Sequence, residues 1–318
     1  MADLLLMGSA PLRLQTIRIL RGLLREVLSL LVLDFAHLTE GSIANPAQRA
    51  AVVGLKPTAG LVSRHGVYSI SEYQDSVGIH GQTAWIPWII SPCLIPNNQD
   101  AQSPKEGTEF SSNLNCCSID SVRIAVPPVL LDTDKTRRDA TNEAIDVMRG
   151  LGATVIEDAH FSHWETDEER TADEGWSLAF RVQLRDNMAK FLNSFDSKEV
   201  DMQTLGDVIN YTVNTPEERI EEYGIEEWLA AEHTGQACDR DSQAYITSLN
   251  RRLEMGAQAQ ELLDRYNCDI YLSSSSRWQP GMAGGYPSIS VPIGVFPPDT
   301  PIQSRPRTGL VKIGPGIP

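Results

Sequence analysis

The feature that most constrains this chain is a strand, a helix and a second strand within about 35 residues. Residues 122–126 (VRIAV) are rich in β-branched side chains and stop at Pro127 and Pro128, which reads as a buried strand. Over residues 134–150, apolar Ala140, Ala144, Ile145, Val147, Met148 and then Leu151 recur at spacings of three and four, the period of one helix face. Asp132 or Thr133 is expected to cap its start, and Gly150 or Gly152 its end. Residues 153–157 (ATVIE) then read as another strand. Two strands joined by a crossover helix run parallel in one sheet, so the fold class follows: α/β, a mixed and largely parallel sheet covered by helices.

Two other stretches, 52–81 and 269–295, are strand-like and broken by glycine and proline. In α/β folds such strand-to-loop passages are where sites are built. Residues 176–265 read as mostly helical, and the acidic runs 157–174 and 217–232 as solvated helix faces. The stretch 85–117 has neither period, and its WIPWIISPCLIPNN run fits no element. Residues 1–35, rich in Leu with Arg13, Arg18, Arg21 and Arg25, read as an atypical amphipathic helical segment. Charges interrupt each apolar run there before it reaches the roughly 18 to 20 residues that a membrane span needs.

Charge and cysteines narrow the partners. A net charge of −15 repels phosphate backbones and anionic lipid headgroups, so neither nucleic acid nor membrane is expected as a partner. Five cysteines, an odd count with no CxxC pair, fit a reducing, cytoplasmic location. No phosphate-binding glycine loop, zinc motif or GxSxG elbow occurs, and no cofactor or metal is expected. His160 and His163, three residues apart beside Glu157 and Asp158, could bind a metal, but a surface helix end or loop is the favoured reading. Thr39, Glu40, Gly41 and Ser42 form a small-residue turn before Pro46. A serine there is either a nucleophile beside backbone N–H donors or an ordinary turn residue, and His37 and His65 are the nearby candidate bases.

The run TEGSIANPAQRAAVVGLKPTAGLVSRHGVYSISEYQDSVG, residues 39–78, closely resembles the core of the amidase signature family, the serine amide hydrolases. There a Gly-Ser-Ile turn leads into Gly-Leu-Lys-Pro-Thr and then Asp-x-x-Gly-Pro. GLGATVIEDAHF and GGYPSISVPIGVFP resemble the family's later strand and the segment bordering its substrate pocket. The resemblance covers about residues 36–318, taken as one partial domain, with a poor stretch from 79 to about 120.

It implies hydrolysis of small carboxylic amides to acid and ammonia or amine through an acyl-serine. By position Ser42 is the catalytic nucleophile, and the backbone N–H groups of Thr39, Glu40, Gly41 and Ser42 form the oxyanion hole. The family's remaining triad members, a lysine and a bridging serine held by a cis peptide, have no match. No lysine precedes Lys56, and Thr16, Ile17 and Arg18 occupy the expected place of the serine. Ile79 also replaces the proline of Asp-x-x-Gly-Pro. The expectation is a chain truncated at both ends relative to the family, with an incomplete core and no turnover of its own. The alternatives are a non-catalytic binding or scaffold protein and, less favoured, a protein like the catalytic chain of the glutamyl-tRNA amidotransferase.

Overall fold

The computed structural model describes residues 41–82, 118–166, 169, 174–195, 201–274, 279–304, 309 and 311–317. The expectations for 1–35 and 85–117 fall outside them. Strand β1 (Val53–Lys56) lies between β2 (Ile79–Gly81) and β6 (Ser288–Ser290), antiparallel to both. Strand β3 (Arg123–Ala125) lies between β4 (Thr154–Ile156) and β5 (Ile270–Tyr271), parallel to both. Strands β7 (Gln303–Ser304) and β8 (Val311–Ile313) pair antiparallel. The expected α/β architecture is present, and its parallel part is the β4–β3–β5 sheet.

Alternation along β3 explains why two helices cover this sheet. Ile124 and Val126 face α2 (Lys135–Gly150) and bury its Ile145. Ala125, between them, faces the other way, against Leu262 of α7 (Gln243–Tyr266), beside Phe161. The cap of α2 is neither of the two expected residues but Asp134, the residue after Thr133. It accepts from the N–H of Arg137 at 3.1 Å, while Asp132 accepts from the N–H of Asp134 and pairs with Arg137 at 3.0 Å. At the far end Gly152 adopts φ +98°, where an L side chain would be strained and would press on Asp120.

Residues 174–192 and 205–266 carry the expected helical part. Helix α3 (Glu174–Leu192) packs along α7 and along α6 (Glu226–Ala237). Helix α4 (Leu205–Val213) starts with a capping box in which Thr204 and Asp207 bond each other's backbone. The run 217–232 is a short 3-10 turn, helix α5 (Ile220–Tyr223) and then α6, with Glu217, Glu218, Glu221, Glu226 and Glu227 exposed. The first acidic run differs from the expected helix face at its start, because Glu157 follows β4 directly and leads into an irregular loop. Leu184 of α3, Leu205 of α4 and Ala231 of α6 close a core that also packs Ile70, tying the helices to the loop after β1.

Candidate active site

The site is built where β1 meets the turn before α1 (Ala44–Ala50). Gly41 has φ +116°, a conformation that favours glycine, and its carbonyl accepts from the N–H of Asn45 at 2.6 Å. The chain therefore turns sharply at Gly41 and carries half-buried Ser42 on the bend. The Ser42 hydroxyl has no hydrogen-bond partner among the described residues. Thr39 and Glu40, the other two expected oxyanion-hole residues, and His37 lie outside the described residues. His65 is exposed on the following loop.

Two glycines let the bend sit against the sheet. A Cβ on Gly54 would come within 2.7 Å of Ala47 Cβ and 3.2 Å of the Ile43 carbonyl oxygen. A Cβ on Gly78 would lie 2.3 Å from Ile43 Cδ1. Only hydrogen at both positions allows this approach, which is the physical content of those glycines in the sequence. His80 of β2 is the residue that sequence reasoning missed. It is 2% exposed, and its Nε2 lies 2.7 Å from the Ile43 carbonyl oxygen. Its partner is a backbone carbonyl 37 residues away, which leaves no trace in local sequence pattern.

The loop after β1 folds around a buried carboxylate. Asp75 Oδ2 accepts from the N–H groups of Ile70 and Ser71 at 2.6 and 3.0 Å and from Ser69 Oγ at 3.1 Å. Arg64 spans the same loop, donating to the carbonyls of Ser71 and Glu72. This loop then locks onto the glycine-rich turn after α8 (Pro280–Ala283). Gln74 donates to the Ala283 carbonyl at 3.3 Å, Ala59 N–H donates to the Gly285 carbonyl at 2.9 Å, and Gly285 sits at φ +66° with no room for a Cβ beside the Tyr73 carbonyl. Arg252 supports it from α7, donating to Gln74 Oε1 at 3.1 Å while its guanidinium lies 4.6 Å from the Trp176 ring. A void between Gln74, Phe180, Gln183 and Arg252, where Gln183 Oε1 has no partner, has room for about one water and not for an amide substrate.

Lys56, the first lysine in the chain, ends β1 on the Gly54 side of the strand. Its Nζ donates to the Tyr286 carbonyl at 3.0 Å and the Pro57 carbonyl at 3.3 Å. Burial pulls its ammonium down to about 8, against the opposing attraction of the Asp75 carboxylate. The geometry thus brings the signature run and the GGYPS turn into one structure, with Ser42 at its edge.

The amidase family model matches residues 30–302. This chain belongs to the amidase family. A relative in Arthroderma benhamiae, named an amidase, is 28% identical over 313 residues, covering 92% of this chain and 50% of its own length. A glutamyl-tRNA(Gln) amidotransferase chain of Staphylococcus saprophyticus is 32% identical over 124 residues, covering 37% of this chain and 25% of its own length. Among solved structures, the peptide amidase of Stenotrophomonas maltophilia superposes with a TM-score of 0.64 at 21% identity, covering 82% of this chain and 55% of that one. That likeness is one of fold. The chain spans about half the length of the curated relatives it matches. No helix among the described residues is long and apolar enough to cross a membrane.

His160 and His163 do not converge. His160 Nε2 lies 2.8 Å from Asp158, and His163 Nε2 lies 3.3 Å from Glu165, both on the surface.

Proposed function

We propose that this chain is an amide-binding protein of the amidase type, in which Ser42 occupies the place of the serine that, in the family reaction, attacks a carboxylic amide carbonyl to give an acyl-serine that water opens. The observation that carries this reading is the tight seating of the Ser42 turn on β1 and β2, in a family whose reaction is amide hydrolysis. Backbone N–H groups at Thr39, Glu40, Gly41 and Ser42 would stabilise the tetrahedral oxyanion, one such donor being worth about 3 kcal/mol. A serine hydroxyl becomes a nucleophile when a base takes its proton. Within residues 1–318 no lysine precedes Lys56, and Lys56 Nζ is engaged with the Tyr286 and Pro57 carbonyls. Residues 1–318 by themselves are therefore proposed to bind amides without turning them over. The partner is a small amide in a reducing, cytosolic setting, with no cofactor, and the net charge of −15 disfavours the tRNA-linked alternative.

The test uses an alkyl boronic acid, which adds reversibly to an active-site serine and mimics the tetrahedral state. It is expected to bind the chain and to bind Ser42→Ala at least about a hundredfold more weakly, the lower range for a transition-state mimic. Ammonia release from primary amides is expected to stay undetectable. Boronate binding unchanged by Ser42→Ala would remove Ser42 from the chemistry. Turnover that disappears on Ser42→Ala would keep Ser42 and overturn the claim of inactivity.

A further inference from the structure

We infer that His80 is a positioning residue for Ser42, holding the turn at the position from which the serine and its neighbouring N–H donors meet a substrate; the inference rests on Ser42 as nucleophile. The three-stranded sheet presents His80, Gly54 and Ser290 side by side, since Gly54 pairs with His80 on one side and with Ser290 on the other. Opposed residues in an antiparallel ladder share a face. The face concerned is the one under the Ser42 turn, because a Cβ on Gly54 would point at Ala47 Cβ, Ser290 Oγ and the Ile43 carbonyl.

Ile43, the residue after Ser42, is held on two sides. Its side chain, 3% exposed, lies in the space left by Gly78, and its carbonyl meets His80 Nε2 at 2.7 Å. A carbonyl can only accept, so Nε2 carries the proton and the histidine is in one defined state toward this partner. The same carbonyl also accepts from the N–H of Ala47, at 3.3 Å, so the histidine supplies the shorter bond. With side chain and carbonyl both fixed, Ile43 has little rotational freedom, and Ser42, one virtual bond of about 3.8 Å away, inherits that position. A leucine at position 80 would fill the space and leave the buried carbonyl with the weaker bond alone.

The test compares His80→Gln with His80→Asn. A glutamine amide nitrogen reaches the place of Nε2, whereas asparagine stops at the level of Nδ1, so two polar replacements keep and lose the bond. Two measurements are made on each: the affinity for the alkyl boronic acid that adds to Ser42, and amide hydrogen exchange of residues 43–47 relative to α7. His80→Asn is expected to weaken boronate binding and speed exchange in 43–47 by about tenfold, the worth of one hydrogen bond, with α7 unchanged. His80→Gln is expected to stay near the parent in both. The inference is overturned if the two variants behave alike, if His80→Asn leaves exchange in 43–47 unchanged, or if α7 loosens as much as 43–47. Failure of the parent chain to bind the boronic acid would instead count against Ser42 as nucleophile, and the exchange comparison would still decide whether His80 holds the turn.

Discussion

Gly54 has three atoms of other residues within 3.2 Å of where a Cβ would stand: Ala47 Cβ at 2.7 Å, Ser290 Oγ at 2.9 Å and the Ile43 carbonyl at 3.2 Å. Ala47 and Ile43 belong to the packed turn and helix and cannot swing aside as the end of a long side chain can. Gly54→Ala is therefore expected to destabilise the protein by about 1–3 kcal/mol, the usual cost of overpacking. Urea denaturation reads that loss, and an unchanged midpoint would mean that α1 yields freely. At this scale the sequence was legible where a rule acts locally. The turn at Gly41 and Ser42 could be placed by resemblance, and a glycine before the serine anticipated. His80 could not, because burial and a bond to a distant carbonyl are properties of the folded chain. The cap of α2 was displaced by two residues from Asp132 because three acceptor-bearing residues stand in a row, and only the backbone path decides which one reaches the N–H of Arg137.

At the scale of elements, β1 is the junction of the fold, and its last residue carries a charge where charge is costly. Lys56 is 6% exposed, and burial holds its ammonium near 8 although two carbonyls accept from it. In the unfolded chain a lysine titrates near 10.4. The folded state thus binds fewer protons than the unfolded state between about pH 8 and 10.4, so stability from this group is fully present above the unfolded value and is lost as pH falls through 8. The full effect is on the order of 3 kcal/mol. Unfolding free energy is expected to rise from pH 8 to 10 in the native chain and to lack that rise in Lys56→Met. Tyr68 and Tyr271, raised by burial, act oppositely above about pH 10, so the difference between the two proteins is the quantity to measure. Equal slopes would show that Lys56 does not titrate in this range. Elements were the most legible level of all. The helix of residues 122–157 carries its period in plain view, and burial on two faces of β3 leaves Ile124, Ala125 and Val126 apolar in succession. The strand content of 52–81 was legible as punctuation, though the pairing of β1 with β6, more than 200 residues away, was not.

At the scale of the whole molecule, the described strands gather in sheets of three, three and two, and the apolar surface they leave is uneven. Ile289 and Val291 are each 55% exposed, Ile293 47% and Val295 58%, in one stretch that begins in β6. An exposed strand edge with aliphatic side chains is a template for association with other chains. Opposing it is the net charge of −15, which keeps molecules apart through long-range repulsion. The two forces differ in their response to salt. Repulsion is screened as the Debye length falls from about 30 Å at 0.01 M to about 8 Å at 0.15 M ionic strength, whereas apolar contact is not weakened. The chain is therefore expected to sediment as smaller species at low salt and to self-associate as salt is raised, the reverse of an assembly held by ion pairs. Ile293→Lys with Val295→Lys is expected to suppress the salt-induced association while leaving the thermal unfolding midpoint near that of the parent, since both residues are largely exposed. Sedimentation velocity at several concentrations and two ionic strengths reads this directly. Association that weakens with salt would assign the contact to charge, and association indifferent to the two lysines would place it elsewhere on the surface.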